Sequence, residues 1–304
     1  MISSNASAAP RKVAMKLEQW RQYGRTLSFD GHPVQLYEAG DRDAPPLLLI
    51  HGFPTAAWDW HRIWPRLAQD YRLIAPDLLG FGFSAKPPSY SYSFRAQADL
   101  CEQALESTGV TRYRLLAHDY GDTVAQELLA RRIERSGDGG PLAVCLLNGG
   151  IFPSLQQPLL IQRALASPLG PMLARLMNRA AIERGLARVF GPQTQPTAAE
   201  MDAFWALIEY NGGRRVVPRL LGYLAERRRE EARWVGALTG SPASLLLVDG
   251  VEDPVSGRNM TDQWRTLLPD AGLLELEGIG HYPQMEAPEA VLEAALAFFA
   301  APAQ

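Results

Sequence analysis

Five short apolar segments, bounded by turn-forming or charged residues, constrain the fold of this 304-residue chain more than any other feature. None of them alternates apolar with polar residues, and such a run of four or five residues is typical of a strand buried on both faces of a parallel sheet. The stretches between them have room for helices that connect parallel strands. The segments are 46–50, 72–75, 114–117, 144–147 and 245–248. They predict an α/β fold with a mostly parallel central sheet and helices on both faces.

The strand pattern is interrupted in the second half of the chain, where apolar residues such as Phe204 and Ile208 recur at helical spacing and prolines and glycines separate short helices. We read the mixed-charge run 226–231 there as a solvated helix surface. An insert between strands of a parallel sheet usually covers the sheet edge where ligands bind. We therefore predict a mobile N-terminal segment at 1–20, a first core part at 21–150, an inserted helical cap at 151–240 and a second core part at 241–304.

Composition and charge exclude several classes of protein. The chain has 30 Lys and Arg against 33 Asp and Glu, so we expect neither a nucleic-acid nor a membrane partner. The two cysteines, Cys101 and Cys145, are too few for a disulfide framework. No apolar run has the length of a signal peptide or a membrane span, so we expect a cytoplasmic protein. No His and Cys cluster has metal-ligand spacing, and we expect no metal and no cofactor.

The residues around Asp119 predict a nucleophile at the end of a strand. The apolar segment 114–117 ends just before it, and a helical stretch follows at once. Ala117 and Gly121 flank Asp119 two positions away on either side, a pattern typical of a strand-to-helix turn that is too tight for bulky side chains. An aspartate in this position is already ionised at neutral pH and suits attack on an alkyl carbon, which forms an ester with the enzyme.

Hydrolysis of such an ester requires a base with an orienting acid. His281 lies in a loop after the last predicted strand and is the candidate base. Asp253 follows the strand-like segment 245–248 and is the candidate acid, with Glu252 beside it as the competing residue. The order of nucleophile, acid and histidine along the chain matches the order that this type of turn predicts.

An oxyanion hole would stabilise the tetrahedral intermediate of ester hydrolysis. The backbone N–H groups of Phe53, after the first buried strand, and of Tyr120, after the nucleophile, are the candidate donors. We interpret His51 and His118 as packing or hydrogen-bonding residues beside the turn.

Four segments resemble the α/β-hydrolase superfamily, specifically the branch of epoxide hydrolases and haloalkane dehalogenases that has an aspartate nucleophile and a helical cap. They are HGFP at 51–54, APDLLGFGFSAKP at 75–87, HDYGD at 118–122 and GHYPQMEAP at 280–288. The segments HDYGDTVAQELLAR, LNGGIFP, RLMN, VFGP and RWVGAL extend the similarity into the cap and look like the mesoderm-specific transcript family. The resemblance implies the α/β-hydrolase fold, with Asp119 as nucleophile, Asp253 as acid, His281 as base and the Phe53 and Tyr120 amides as oxyanion hole.

The resemblance leaves three functions open. Epoxide hydrolases use cap tyrosines to donate a hydrogen bond to the epoxide oxygen, and Tyr223 matches the second of these, with Tyr210 as a substitute for the first. Haloalkane dehalogenases bind the halide through indole and similar N–H donors, which here requires Trp58 or Trp205 to point into the pocket. The third function is binding by a catalytically degenerate hydrolase fold. We expect an epoxide hydrolase that acts on a small apolar substrate with water, gives a vicinal diol and assembles as a homodimer.

Overall fold

The computed structural model describes residues 15–135 and 139–301. One eight-stranded sheet has the strand order β1-β2-β4-β3-β5-β6-β7-β8. Its strands are Gly24–Phe29 (β1), His32–Ala39 (β2), Pro46–Ile50 (β3), Arg72–Pro76 (β4), Arg112–His118 (β5), Gly140–Leu147 (β6), Ser244–Gly250 (β7) and Gly272–Leu276 (β8). The β2 strand pairs antiparallel with β1 and β4, and all pairs from β4 to β8 are parallel. The predicted mostly parallel α/β fold is therefore confirmed.

Fourteen α-helices surround the sheet in the described ranges. They are Leu17–Trp20 (α1), Trp64–Leu67 (α2), Phe94–Glu106 (α3), Tyr120–Arg135 (α4), Leu160–Leu165 (α5), Gly170–Leu176 (α6), Arg179–Ala187 (α7), Ala198–Glu209 (α8), Val217–Leu220 (α9), Tyr223–Arg229 (α10), Glu231–Thr239 (α11), Arg258–Leu267 (α12), Pro283–Glu286 (α13) and Pro288–Ala300 (α14). Three short 3-10 helices lie at Arg21–Tyr23, Ala57–Trp60 and Tyr210–Arg215.

The central strands lack alternation because helices cover both faces of the sheet. On β3, Leu48 and Ile50 pack in one apolar layer with α3 and α4. Leu47 and Leu49 point the other way and pack in a second layer with α2 and α14. Successive side chains of a strand face opposite sides, so both sets must be apolar when both sides are buried.

Between β6 and β7, the described chain forms helices α5 to α11 and no strand. This part lies against the loop that carries His281, because the His281 N–H donates to the Val189 carbonyl at 2.8 Å. A Cβ on Gly280 would lie 2.3 Å from the same carbonyl oxygen, so a glycine is needed for this close approach. The helical insert thus covers the sheet edge at which β5 and β7 end.

The N-terminal part of the fold departs from the prediction of a mobile segment at 1–20. Trp20 is fully buried, and its ring centre lies 4.8 Å from those of both Tyr37 and Trp64. The Met15 carbonyl accepts a hydrogen bond from the Trp58 indole. Residues 15–20 are therefore packed, since burial of a tryptophan side chain stabilises the segment that carries it. Residues 1–14 lie outside the described part of the chain.

Neither described part of the chain contains a helix with the length and apolar character needed to cross a membrane.

Candidate active site

The backbone at Asp119 holds its side chain at the carboxyl edge of the sheet. Asp119 lies between β5 and α4 with a φ of 46°, a left-handed conformation that few residues other than glycine adopt. The turn packs tightly on the end of β3, where a Cβ on Gly121 would lie 2.3 Å from the Ile50 carbonyl oxygen. A Cβ on Gly52 would lie 3.0 Å from the Cβ of Asp119. The close approach of two backbone segments therefore requires a glycine at Gly121, the small residue that follows Asp119 in the sequence pattern, and at Gly52 opposite it.

Three groups surround the carboxylate of Asp119. The Phe53 N–H donates to Oδ2 at 3.0 Å, and Nη2 of Arg227 lies 3.5 Å from Oδ1. Nε2 of His281 lies 3.9 Å from Oδ2. Burial raises the pKa of Asp119. Hydrogen bonding to His281 and the positive charges of His281 and Arg227 lower it by a larger amount, so the pKa lies below its ordinary value. The carboxylate is therefore ionised at neutral pH, as a nucleophile must be.

A buried acid orients His281. Its Nδ1 lies 2.7 Å from Oδ2 of Asp253, which also accepts hydrogen bonds from the Asn148 amide at 3.2 Å and the Ser256 hydroxyl at 2.6 Å. The Val255 N–H donates to Oδ1 of Asp253 at 2.8 Å. Glu252 is exposed, so the geometry selects Asp253 as the partner of the histidine. These donors hold the Asp253 carboxylate in place and leave Nε2 of His281 on the side of Asp119.

The two carboxylates control the protonation of His281. Burial lowers the pKa of the imidazole, but the charge of Asp253 and the hydrogen bonds to Asp119 and Asp253 raise it well above its ordinary value. In the resting site the imidazole is therefore protonated and lies between two negative charges. Loss of the charge on Asp119 removes part of what raises this pKa, so a larger fraction of His281 is then neutral and able to accept a proton.

Two further histidines support the site as hydrogen-bonding residues. Nε2 of His118 donates to the His281 carbonyl at 2.7 Å. His51 accepts a hydrogen bond from the Leu78 N–H at Nε2, and its Nδ1 lies 2.8 Å from the Gly52 carbonyl. Burial lowers the pKa of His51 to about 4 and that of His118 to about 3, so both are neutral at physiological pH. This arrangement agrees with our interpretation of both residues from the sequence.

The interpretation of 226–231 as a solvated surface is wrong for its first two residues. Arg227 is fully buried, and it donates to the Asp119 carbonyl at 2.9 Å and to the Thr123 hydroxyl at 2.8 Å. Glu226 accepts the N–H of Phe94 at the start of α3. The guanidinium lies 4.7 Å from the centre of the Tyr223 ring. The spacing of Arg227 four residues after Tyr223 was the available signal, because such residues share one face of a helix.

A cavity of about 150 Å³ lies between the cap and the core and reaches Asp119. Its lining is mostly apolar and includes Leu159, Ile161, Leu165, Met177, Ala181, Ile182, Leu186, Val189, Ile208, Val217, Leu221 and Val255. Phe53, Asp119, Tyr223, His281 and Tyr282 also line it, so the candidate nucleophile, base and cap tyrosine face one space. Enclosed apolar space with a few converging polar groups is typical of a small-molecule site.

Tyr223 carries its proton inside this cavity. Burial, and to a smaller extent the negative charge of Asp119, raises the pKa of the Tyr223 phenol. The side-chain amide of Gln162, a residue of α5 that the sequence analysis did not single out, lies 3.5 Å from the phenol oxygen. The amide oxygen of Gln162 accepts the Leu159 N–H, which turns the NH₂ group toward the cavity. The cavity thus holds a neutral phenol and an amide donor near an ionised carboxylate.

Three aromatic residues predicted to bind substrate do not line this cavity. Trp58 stacks on His61 at 4.0 Å between ring centres. Trp205 lies under the guanidinium of Arg214, and Tyr210 is 37% exposed and packs on Phe83. The helical spacing of the cap did not predict which helix face turns toward the core, and so did not predict where Trp205 lies. The structure therefore does not bring these three side chains together with Asp119, and their role in substrate binding stays a prediction.

The fold and this carboxylate–histidine–carboxylate arrangement define the class of protein. Residues 47–294 match the family model described as "Alpha/beta hydrolase family", and the chain belongs to this family. It is also similar along nearly its whole length to the mesoderm-specific transcript protein of Mus musculus, at 40% identity over 308 aligned residues that cover 98% of this chain and 92% of that protein. The resemblance noted in the sequence is therefore confirmed.

Solved structures share the fold. Haloalkane dehalogenase DbeA from Bradyrhizobium elkani has 26% identity and a TM-score of 0.75, covering 91% of this chain and 97% of that one. Epoxide hydrolase CorEH has 20% identity and a TM-score of 0.74, covering 91% of this chain and 98% of that one. The second likeness shows the fold alone.

Proposed function

We propose that this hydrolase opens a small apolar epoxide to a vicinal diol through an ester with Asp119. The observation that carries the proposal is the shared cavity in which a buried, ionised Asp119 faces a neutral Tyr223, with the His281–Asp253 pair beside it. An ionised carboxylate suits attack on carbon, and a neutral phenol suits protonation of the oxygen that leaves.

In the first half of the reaction, Asp119 attacks an epoxide carbon and the ring C–O bond breaks. Because the Phe53 N–H holds Oδ2, Oδ1 is the attacking oxygen and Oδ2 becomes the carbonyl oxygen of the ester. Tyr223 donates its proton to the oxygen of the opened ring, which an apolar pocket would otherwise leave as an unsolvated alkoxide. The imidazolium of His281 returns a proton to the tyrosinate through solvent.

In the second half, His281 removes a proton from water, and the resulting hydroxide attacks the ester carbonyl. Esterification has removed the charge on Asp119 that helps to raise the pKa of His281, which favours the neutral base at this stage. Asp253 stabilises the imidazolium, and the Phe53 and Tyr120 N–H groups stabilise the oxyanion. Collapse of the intermediate breaks the C–O bond to the substrate, and the second proton of the water passes to the leaving alkoxide. This releases the diol and restores the Asp119 carboxylate, with the first proton of the water on His281.

Dehalogenation uses the same ester but needs N–H donors for the halide. The Gln162 amide offers one such donor, but in the described part of the chain no tryptophan lines the cavity, and the Trp58 indole donates to a backbone carbonyl instead. This observation favours the epoxide over the alkyl halide. The hydrogen-bonded His281–Asp253 pair beside Asp119 disfavours a fold kept only for binding.

A single turnover with enzyme in excess, in ¹⁸O-water, tests the proposal on a panel of apolar epoxides and haloalkanes. Diol without ¹⁸O on the first turnover is the expected result, because its new oxygen comes from Asp119. Diol that carries ¹⁸O on the first turnover contradicts the ester route, and halide release without diol formation supports a dehalogenase. The Asp119→Asn variant, assayed before deamidation restores the acid, is the matched control and forms neither product.

A further inference from the structure

Helices α5 and α6 carry an exposed apolar surface on the cap. Among the described residues, the large apolar side chains that are more than half exposed all lie here, at 52 to 82%, whereas the next, Ile133, reaches 39%. The α5–α6 face consists of Leu160, Ile161, Leu169, Met172 and Leu176. Grouped apolar exposure of this kind marks an interaction site, whereas single exposed apolar residues need no explanation.

Exposed arginines lie on the two helices of the α5–α6 face and on the helix that follows them. Arg163 on α5 and Arg175 on α6 are exposed, and so are Arg184 and Arg188 at α7. Glu183 is the sole acidic residue in the sequence from 151 to 190, and it already pairs with Arg179. The net charge of −3 for the whole chain hides this local excess of positive charge, so the expectation of no membrane partner does not extend to this face.

The α5–α6 face is continuous with the cavity of the candidate active site. Ile161, Gln162 and Leu165 of α5 line that cavity, and so does Met177 directly after α6. The same two short helices therefore present apolar side chains to the outside and to the space above Asp119.

We propose that the α5–α6 face docks on an anionic lipid surface and that an apolar substrate enters the cavity from the lipid. An apolar surface bordered by arginines fits the interface of an anionic bilayer, where apolar side chains insert and cations meet lipid phosphates. A second copy of the chain fits less well, because two-fold pairing through this face brings the arginines of both copies together, and Glu183, the one acidic residue in the sequence from 151 to 190, already pairs with Arg179. Docking does not depend on the reaction, whereas substrate entry rests on the proposed function.

Vesicle flotation with the full chain tests docking. The probes are vesicles of phosphatidylcholine alone and of phosphatidylcholine with 30% phosphatidylglycerol, at low and high salt. We expect the chain to bind the anionic vesicles and the binding to weaken with salt. Arg163→Gln and Arg175→Gln should each weaken this binding about fivefold. The double variant Leu160→Ser/Leu176→Ser should weaken it at least about tenfold. The matched control, Ile133→Ser with Leu267→Ser, changes side chains of similar size away from the face and keeps the binding.

Three results would overturn docking: no binding of the unaltered chain to anionic vesicles, equal binding by the Leu160→Ser/Leu176→Ser variant, or a dimer in sedimentation equilibrium that this variant dissociates. Leu160 and Leu176 do not line the cavity, so their variant keeps its turnover of a water-soluble epoxide. The Asp119→Asn variant should lose epoxide turnover and keep vesicle binding, which separates the docking proposal from the proposed reaction. Vesicle binding without any epoxide turnover by the unaltered chain refutes the reaction and leaves docking standing.

Discussion

Replacement of Tyr223 by phenylalanine tests how the proposed reaction protonates the leaving oxygen. The substitution removes one hydroxyl from a buried ring and leaves the ring contacts with Phe53, Phe94 and Tyr120 in place. The lost contact with Gln162 is 3.5 Å long, so we expect a change in the free energy of unfolding below about 1 kcal/mol. The variant therefore separates catalysis from folding.

The expected loss follows from the surroundings of the phenol. General acid catalysis contributes about 10² to 10⁴ in rate, which corresponds to about 3 to 5 kcal/mol of activation free energy. The Gln162 amide remains in the cavity as a weaker donor, so we expect the lower end, about 100-fold slower epoxide opening. Hydrolysis of an ester already formed does not use the phenol and keeps its rate.

Rapid-quench kinetics resolve the two half-reactions by measuring ester formation and ester decay separately. Tyr210→Phe is the matched control, because Tyr210 is a partly exposed cap tyrosine outside the cavity lining. Ester formation in Tyr223→Phe within threefold of the unaltered rate would refute the role of Tyr223 as donor. An equal slowing of both half-reactions would point to a structural effect instead.

Two other residues give further predictions. Arg227→Met removes the buried cation beside Asp119 and should cost about 3 kcal/mol of stability, or roughly 5 °C in Tm, with a smaller loss in Arg227→Lys. Calorimetry checks this, and an unchanged Tm in Arg227→Met contradicts it. Asp253 raises the pKa of His281, so ester hydrolysis by the unaltered enzyme should slow as the pH drops through the His281 pKa of the ester intermediate, to which the charge of Asp119 no longer contributes. In Asp253→Asn this acid limb moves to lower pH and ester hydrolysis slows about 10³-fold; a pH profile of ester decay checks both effects, and an unmoved limb refutes the assignment.

Local sequence patterns predicted the sheet and the placement of Asp119. Strands that are buried on both faces have a continuous apolar run such as 46–50, and the close backbone approach at Asp119 requires the glycine at Gly121. Asp253 and His281 each follow a predicted strand, and this position predicted that both lie at the same edge of the parallel sheet as Asp119. These features depend on neighbours in sequence or on strand order, which a single chain displays.

Features that depend on how the cap meets the core were not predictable in the same way. Arg227 belongs to a mixed-charge run that looks solvated, and it is buried only because the Asp119 carbonyl and the Thr123 hydroxyl accept its hydrogen bonds. Trp205 and Tyr210 lie on helical stretches of the cap, and the packing of the cap on the core sets which face of these stretches points inward. The exposed Leu160 and Leu176 are likewise indistinguishable in sequence from core residues of a helix.

The mass of the His281→Gln variant after mixing with an epoxide reveals whether Asp119 forms an ester. Ester formation should proceed while hydrolysis stalls, so the intact mass rises by the mass of one epoxide, and peptide mapping finds the adduct on Asp119. Turnover to diol without any adduct, or an adduct on a different residue, would contradict the ester route through Asp119.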